Sequence, residues 1–222
     1  MHDYADFFAR GRDALLEGKA VHESPPVEGG TRWGASAVLR PTGPVLERLT
    51  ALAASVGETA DPGHWVHGPK TLHFTLRSLE RHRRVVPSDD PYRLAYAASL
   101  DEAVAGSPPI RIELRGVSPH TGGVLAFGHP VDDSLVSLQK RFAQSLDRRG
   151  VGAFESWARD RWYVSLMHFA APVTNPKAIV AWCDEHADVR MGLAEIKAAE
   201  IVQPVHTGVG IRMETLERAI LV

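Results

Sequence analysis

With 222 residues, 44% hydrophobic and 23% charged, the chain has an ordinary globular composition and enough length for one domain or two small lobes sharing a core. The formal net charge of −2 excludes a global basic field for gripping a nucleic-acid backbone, so any anion must be held at a local site. A single cysteine, Cys183, excludes an intrachain disulfide framework and fits a cytoplasmic location, and no stretch approaches the roughly 18 apolar residues of a membrane span.

Residues 3 to 17 predict an amphipathic helix, with Tyr4, Phe7, Phe8 and Leu15 as its apolar stripe, Asp3 as N-cap and Gly18 as the stop. Acidic residues come early and no apolar run follows, so a signal peptide is not expected. The Ser24-Pro25-Pro26-Val27-Glu28-Gly29-Gly30 loop reads as a connector. Residues 1–30 are therefore expected to be a helical extension and linker, ahead of one bilobal domain over 31–222.

That domain opens with a short strand at Ser36 to Arg40. A helix follows from about Gly43 to Val56, carrying Val45, Leu46, Leu49 and Leu52. His64-Trp65-Val66-His67 sits between Gly63 and Gly68 and reads as a loop. Its spacing is not that of a His-Glu-x-x-His metal motif, and no metal or cofactor is expected. A strand over Thr71 to Leu79 comes next, then a helix from about Tyr92 to Ala105 and an alternating strand over Ile110 to Val117. The same order then recurs: a strand at Gly123 to Phe127, a helix from about Asp132 to Asp147, a strand over Arg161 to Phe169, and a helix from about Pro176 to His186. Cys183 falls on the apolar side of that last helix and reads as a buried thiol. Two long strands, about 189–202 and 208–222, close the chain. The series is offset by about 86 to 90 residues, too long and in too few copies for a solenoid. It predicts an α+β fold with lobes at about 36–117 and 121–222.

The chemistry lies in the two matched strands. Side chains alternate faces along a strand. In the first, Leu72, Phe74 and Leu76 face a core, and Thr71, His73, Thr75 and Arg77 share the polar face. In the second, Trp162, Val164 and Leu166 are apolar, and Arg161, Tyr163 and Ser165 are polar. Thr75 is matched by Ser165, but His73 is matched by Tyr163. His168 lies an odd number of residues from Tyr163, so a regular strand turns it to the other face; only a β-bulge would bring it round. Arg77 and Arg161 are candidate phosphate ligands, or ordinary ion-pair partners. Arg81-His82-Arg83-Arg84 is either a track for an RNA backbone or a solvated loop.

His73-Phe74-Thr75-Leu76 and Tyr163-Val164-Ser165-Leu166 together resemble the paired His-x-Thr/Ser motifs of the two-histidine (2H) phosphoesterase superfamily, which includes 2′-5′ RNA ligase-like proteins and cyclic phosphodiesterases. The likeness spans about residues 36–222 and includes the hairpin region from Val117-Ser118-Pro119 to Phe127-Gly128-His129-Pro130. It implies a duplicated two-lobe fold, with two mainly antiparallel sheets and outer helices around a central cleft. It also implies metal-independent chemistry on a cyclic phosphate or 2′-5′ phosphodiester, carried by a small phosphorylated substrate or an RNA end. In that family one histidine takes a proton from the attacking hydroxyl or water and the other gives one to the leaving oxygen. Carried over, His73 is the general base, Thr75 and Ser165 hold the phosphate, and Tyr163 acts as acid or phosphate ligand. A tyrosine, with an ordinary pKa of about 10, is a poor base at neutral pH. The departure leaves open a binding protein without turnover, or a repurposed enzyme.

Overall fold

The computed structural model describes residues 4–222. Helix α1 (Ala5–Leu16) is followed by β1 (Ser36–Leu39), α2 (Gly43–Thr59), β2 (Trp65–Val66), β3 (Phe74–Ser78), α3 (Pro91–Val104), β4 (Ile110–His120) and β5 (Gly123–Pro130). Then come α4 (Ser134–Arg148), β6 (Trp162–His168), α5 (Pro176–Glu185), β7 (Arg190–Ile196), β8 (Ala198–His206) and β9 (Ile211–Ile220). The helices start where local chemistry allows. Pro44, Pro91 and Pro176 sit in first turns, where a missing N–H costs nothing. Asp90 and Asn175 accept the Arg93 and Ala178 amides at 3.0 and 3.2 Å. Each helix lays an apolar stripe on the sheet; in α4 it is Leu135, Leu138, Phe142 and Leu146. The expected Asp3 cap lies outside the described residues, and Tyr4 takes the cap position without a side-chain hydrogen bond to the helix.

All paired strands are antiparallel, in the order β7-β4-β5-β6-β3-β1-β8-β9, with the short β2 added beside β6. The sheet consists of two four-stranded halves joined at one residue pair, Phe74↔Val164, between β3 and β6. The halves exchange strands relative to the expected lobe boundaries. β4 pairs with β5 and β7 in the half holding β6, and β8 and β9 complete the half holding β3. A two-residue turn at Thr121-Gly122 keeps β4 with β5, whatever the repeat alignment suggests. The expected strand over 189–202 is two strands. At Lys197 the chain leaves one half for the other, and the buried positions change parity there, from Ala194 and Ile196 to Ala199 and Ile201.

The N-terminal residues form part of the body. Leu15 is 1% exposed in the common core, Tyr4 stacks on Phe127 at 4.0 Å, and Phe7 stacks on His120 at 5.4 Å. A Cβ on Gly11 would lie 2.0 Å from the Pro119 oxygen, so only glycine lets α1 sit this close to β4. Residues 20–34 then cross between the halves: the Val21 and Glu23 amides donate to Thr121 and Phe169 on one side, and Gly29 and Gly30 exchange bonds with His82 on the other. Among the described residues no helix is long and apolar enough to cross a membrane.

Candidate functional site

Between the halves lies a cavity of about 770 Å³, floored by the ends of β3 and β6 and walled by residues 21–34. His73, Thr75, Tyr163 and Ser165 all line it. The Phe74↔Val164 pair fixes their arrangement, because antiparallel register sets Thr75 beside Tyr163 and His73 beside Ser165 across the seam. The local two-fold relating the halves thus runs through the middle of the candidate site.

The His73 ring packs deep among protein atoms while one edge reaches the cavity. Its Nδ1 lies 2.6 Å from the Thr71 carbonyl oxygen. A carbonyl only accepts, so Nδ1 carries the proton and Nε2 keeps a lone pair for the cleft. Burial pushes the imidazole down to about 4, with the nearby Arg40 and Arg159 guanidinium groups adding to the depression. It is neutral at pH 7. Among the described residues, the Thr75, Ser165 and Tyr163 hydroxyls have no protein hydrogen-bond partner.

The two candidate arginines fall elsewhere. Leu76 is an extra residue in β3: β1 pairs Ala37 with Arg77 but Val38 with Thr75. That bulge turns Arg77 away from the cleft, to 6% exposure, where its guanidinium donates to the Gly152 oxygen at 3.0 Å and to the Glu155 oxygen. Arg161 lies over the Phe7 ring of α1, 5.6 Å from its centroid, outside the cavity lining. Two other arginines line the cavity. Arg159 is paired with the buried Glu155 at 2.6 and 3.0 Å and reaches the Ser78 hydroxyl at 3.3 Å. Arg32 is paired with Glu23, which also accepts the Trp33 indole N–H at 3.2 Å. Neither carried a sequence signal, because both come from irregular segments.

The same irregularity recurs in β6. Its partner β5 pairs Val124 with Met167 but Leu125 with Ser165, leaving Leu166 extra. Leu166 and Met167 both face the core, and His168 returns to the face of Tyr163 and Ser165, in the cavity. His168 Nδ1 lies 2.7 Å from His67 Nε2, and the Trp33 ring packs edge-on against it at 5.1 Å. Trp33 adopts a left-handed backbone with φ 63°, a conformation that costs about 1–2 kcal/mol for a residue with a Cβ. His64-Trp65-Val66-His67 is not a loop throughout: Trp65 and Val66 form β2, which delivers His67 to His168. Among the described residues no cluster of three or more His, Cys, Asp or Glu side chains is placed to hold a metal ion.

The basic run is a fastener. His82 Nδ1 donates to the Trp33 oxygen at 2.9 Å, Arg81 reaches the Gly29 oxygen at 3.2 Å, and Arg83 pairs with Glu80 and Asp90 at 2.9 and 2.6 Å. Arg81 and His82 tie residues 29–33 to the end of β3, and Arg83 ties that end to the Asp90 cap of α3.

No known family profile matches the chain, and no curated protein matches it in sequence. The fold does match solved structures. TT0787 of Thermus thermophilus superposes with a TM-score of 0.61 at 15% identity, covering 84% of this chain and 97% of that one. A crystal structure described as a phosphoesterase gives 0.58 at 13%, over 86% and 98%. E. coli LigT, crystallised with ATP, gives 0.56 at 13%, over 85% and 97%. The curled antiparallel sheet with five helices is the LigT-like 2H phosphoesterase fold.

Proposed function

We propose that the protein is a phosphoesterase acting on a cyclic phosphate or 2′-5′ phosphodiester, carried by an RNA end or a nucleotide-like metabolite. His73 is the general base, and the Thr75, Ser165 and Tyr163 hydroxyls bind the non-bridging phosphate oxygens. The observation that carries this reading is the state of His73: a neutral imidazole, its Nδ1 proton fixed on Thr71, offers Nε2 into a cleft of unpartnered hydroxyls. A base needs that tautomer, and an attacked phosphate needs those donors. The fold is in keeping with it, and LigT itself has been crystallised with ATP and with 3′-AMP.

The test is turnover of 2′,3′-cyclic nucleotides and 2′-5′ dinucleotides, measured with and without chelator. We expect hydrolysis that survives the chelator and falls about 10²- to 10⁴-fold in His73→Ala, the range typical of losing a general base. Turnover unchanged in that variant would sink the assignment. The replacement of a motif histidine by Tyr163 favours one competing reading, a protein that binds phosphorylated ligands without turnover. Measurable binding of the panel with no hydrolysis would establish it instead.

A further inference from the structure

The phosphoesterase reading leaves one role unfilled: the group that protonates the leaving oxygen. We infer that His168, held by His67, is that proton donor and occupies the role the resemblance gives to the residue at position 163. The inference rests on the proposed function and deepens it.

Three observations carry it. First, the bulge at Leu166 sets His168 on the cleft face of β6, with Tyr163 and Ser165. Second, the backbone at His168 is fixed from both flanks, since His168 pairs with Trp65 of β2 on one side and with Gly123 of β5 on the other, and the Trp33 ring packs edge-on against the imidazole. A Cβ on Gly123 would lie 2.0 Å from the Met167 oxygen, so glycine opposite the bulge is what lets β5 follow it. Third, His168 spends Nδ1 on His67 at 2.7 Å, and its Nε2, with no protein partner, is left for the cavity. His67 is 5% exposed and acts only through His168; it is a positioning residue.

Two hydrogen-bonded imidazoles can carry one extra proton between them. Among the protein groups alone that proton is disfavoured: burial depresses both rings, and His168 also faces Arg32 from the crossing segment, His73 beside β3 and His120 at the end of β4. Glu23, the opposing carboxylate on the crossing segment, is committed to Arg32 and Trp33. A phosphate anion entering the cavity supplies the missing counter-charge, so substrate binding draws a proton onto the pair. The reaction then balances. His73 Nε2 takes a proton from water as the water oxygen bonds to phosphorus. The bond from phosphorus to the sugar oxygen breaks, its electron pair leaves on that oxygen, and His168 Nε2 delivers its proton there. The pair returns to neutral with one proton shared between the rings, and His73 releases its extra proton to solvent.

A leaving-group comparison tests this. In His168→Gln, hydrolysis of a 2′,3′-cyclic nucleotide should fall about 100-fold or more, as expected for losing a general acid. Hydrolysis of a nucleoside p-nitrophenyl phosphate, whose phenolate leaves without a proton, should fall less than about threefold. His73→Ala should lose both. Equal loss of both substrates in His168→Gln, or a selective loss of the cyclic nucleotide in Tyr163→Phe instead, overturns the assignment of the acid alone. Turnover indifferent to His73→Ala overturns the underlying phosphoesterase reading. A second measurement needs no turnover. Binding of inorganic phosphate, followed by calorimetry at pH 7.5 in two buffers of different ionisation enthalpy, should be accompanied by proton uptake in the wild type and by none in His168→Gln. Equal uptake in both sinks the proposal. For His67, the expected signature is an alkaline limb of the pH–rate profile moved to lower pH in His67→Ala and moved back in His67→Gln, which keeps an acceptor; a uniform loss at every pH would make His67 merely structural.

Discussion

Four imidazoles in or beside the cleft share one condition. His67, His73, His120 and His168 are all held below the usual histidine value, His67 at about 3 and His73 at about 4, and in each burial is the main cause. A histidine kept neutral in the fold but free to charge when unfolded gives stability that is complete above about pH 6.5. That stability is lost as the pH falls toward the folded-state value. Each such group steepens the decline by roughly 1.4 kcal/mol per pH unit across its window. We therefore expect the thermal midpoint to drop steeply between pH 6.5 and 4.5. In His67→Gln the drop should be shallower, whatever the midpoint at neutral pH. An unchanged slope in that variant would show that His67 is not held neutral. Of the site residues, His73, Thr75 and Ser165 were legible because a motif and simple alternation both point at them. His67 and Arg32 were not, since pairings across the fold bring them in and nothing in their local sequence does.

At the scale of the strand, two bulges decide what the site contains. Leu76 in β3 and Leu166 in β6 occupy matching positions, each one residue past the hydroxyl that lines the cleft. Each inserts a step into the two-residue repeat, so every side chain beyond it changes face. One bulge removes Arg77 from the cleft, and the other brings His168 in. The apolar residue at each bulge is one that regular alternation would also place in the core, so the trace of each bulge in the sequence is a later change of parity, to Leu79 in one strand and to Met167 and Phe169 in the other. The helices were easier, because proline at the first turn and Asx caps mark where they begin. The β3 bulge predicts what Arg77 is for. Its buried guanidinium satisfies the Gly152 and Glu155 carbonyls, and Glu155 in turn accepts the Ser78 amide at 3.1 Å. Arg77→Met should cost about 1–3 kcal/mol of stability through the carbonyls left unpaired. It should leave the affinity for inorganic phosphate within about twofold of wild type, in line with a residue that makes no ligand contact. A large loss of phosphate affinity with normal stability, measured by denaturant titration and calorimetry, would return Arg77 to the site.

For the molecule as a whole, the decisive feature is how little joins the halves of the sheet. β3 and β6 share one residue pair, and residues from both halves meet in one continuous core. Phe74 makes the joint. Its ring enters the opposite half and rests where Gly128 of β5 has no side chain; a Cβ there would lie 2.5 Å from the ring. His73 and Thr75 flank this same residue, so the site is assembled only when the halves are locked together. The strand exchange strengthens the lock, because β4 and β8 each belong by chain order to the half they do not join. The wild type should accordingly unfold in one step, with tryptophan fluorescence and far-ultraviolet circular dichroism giving superimposable denaturant curves. Phe74→Ala should cost about 3–5 kcal/mol, as for other large-to-small changes in a packed core. If Phe74 is the coupling element, the two probes should also separate in that variant, and cleft binding should be lost before most of the helix signal. A loss of stability in which the probes stay superimposed would place the coupling in the shared core and the exchanged strands, with Phe74 contributing only its own packing.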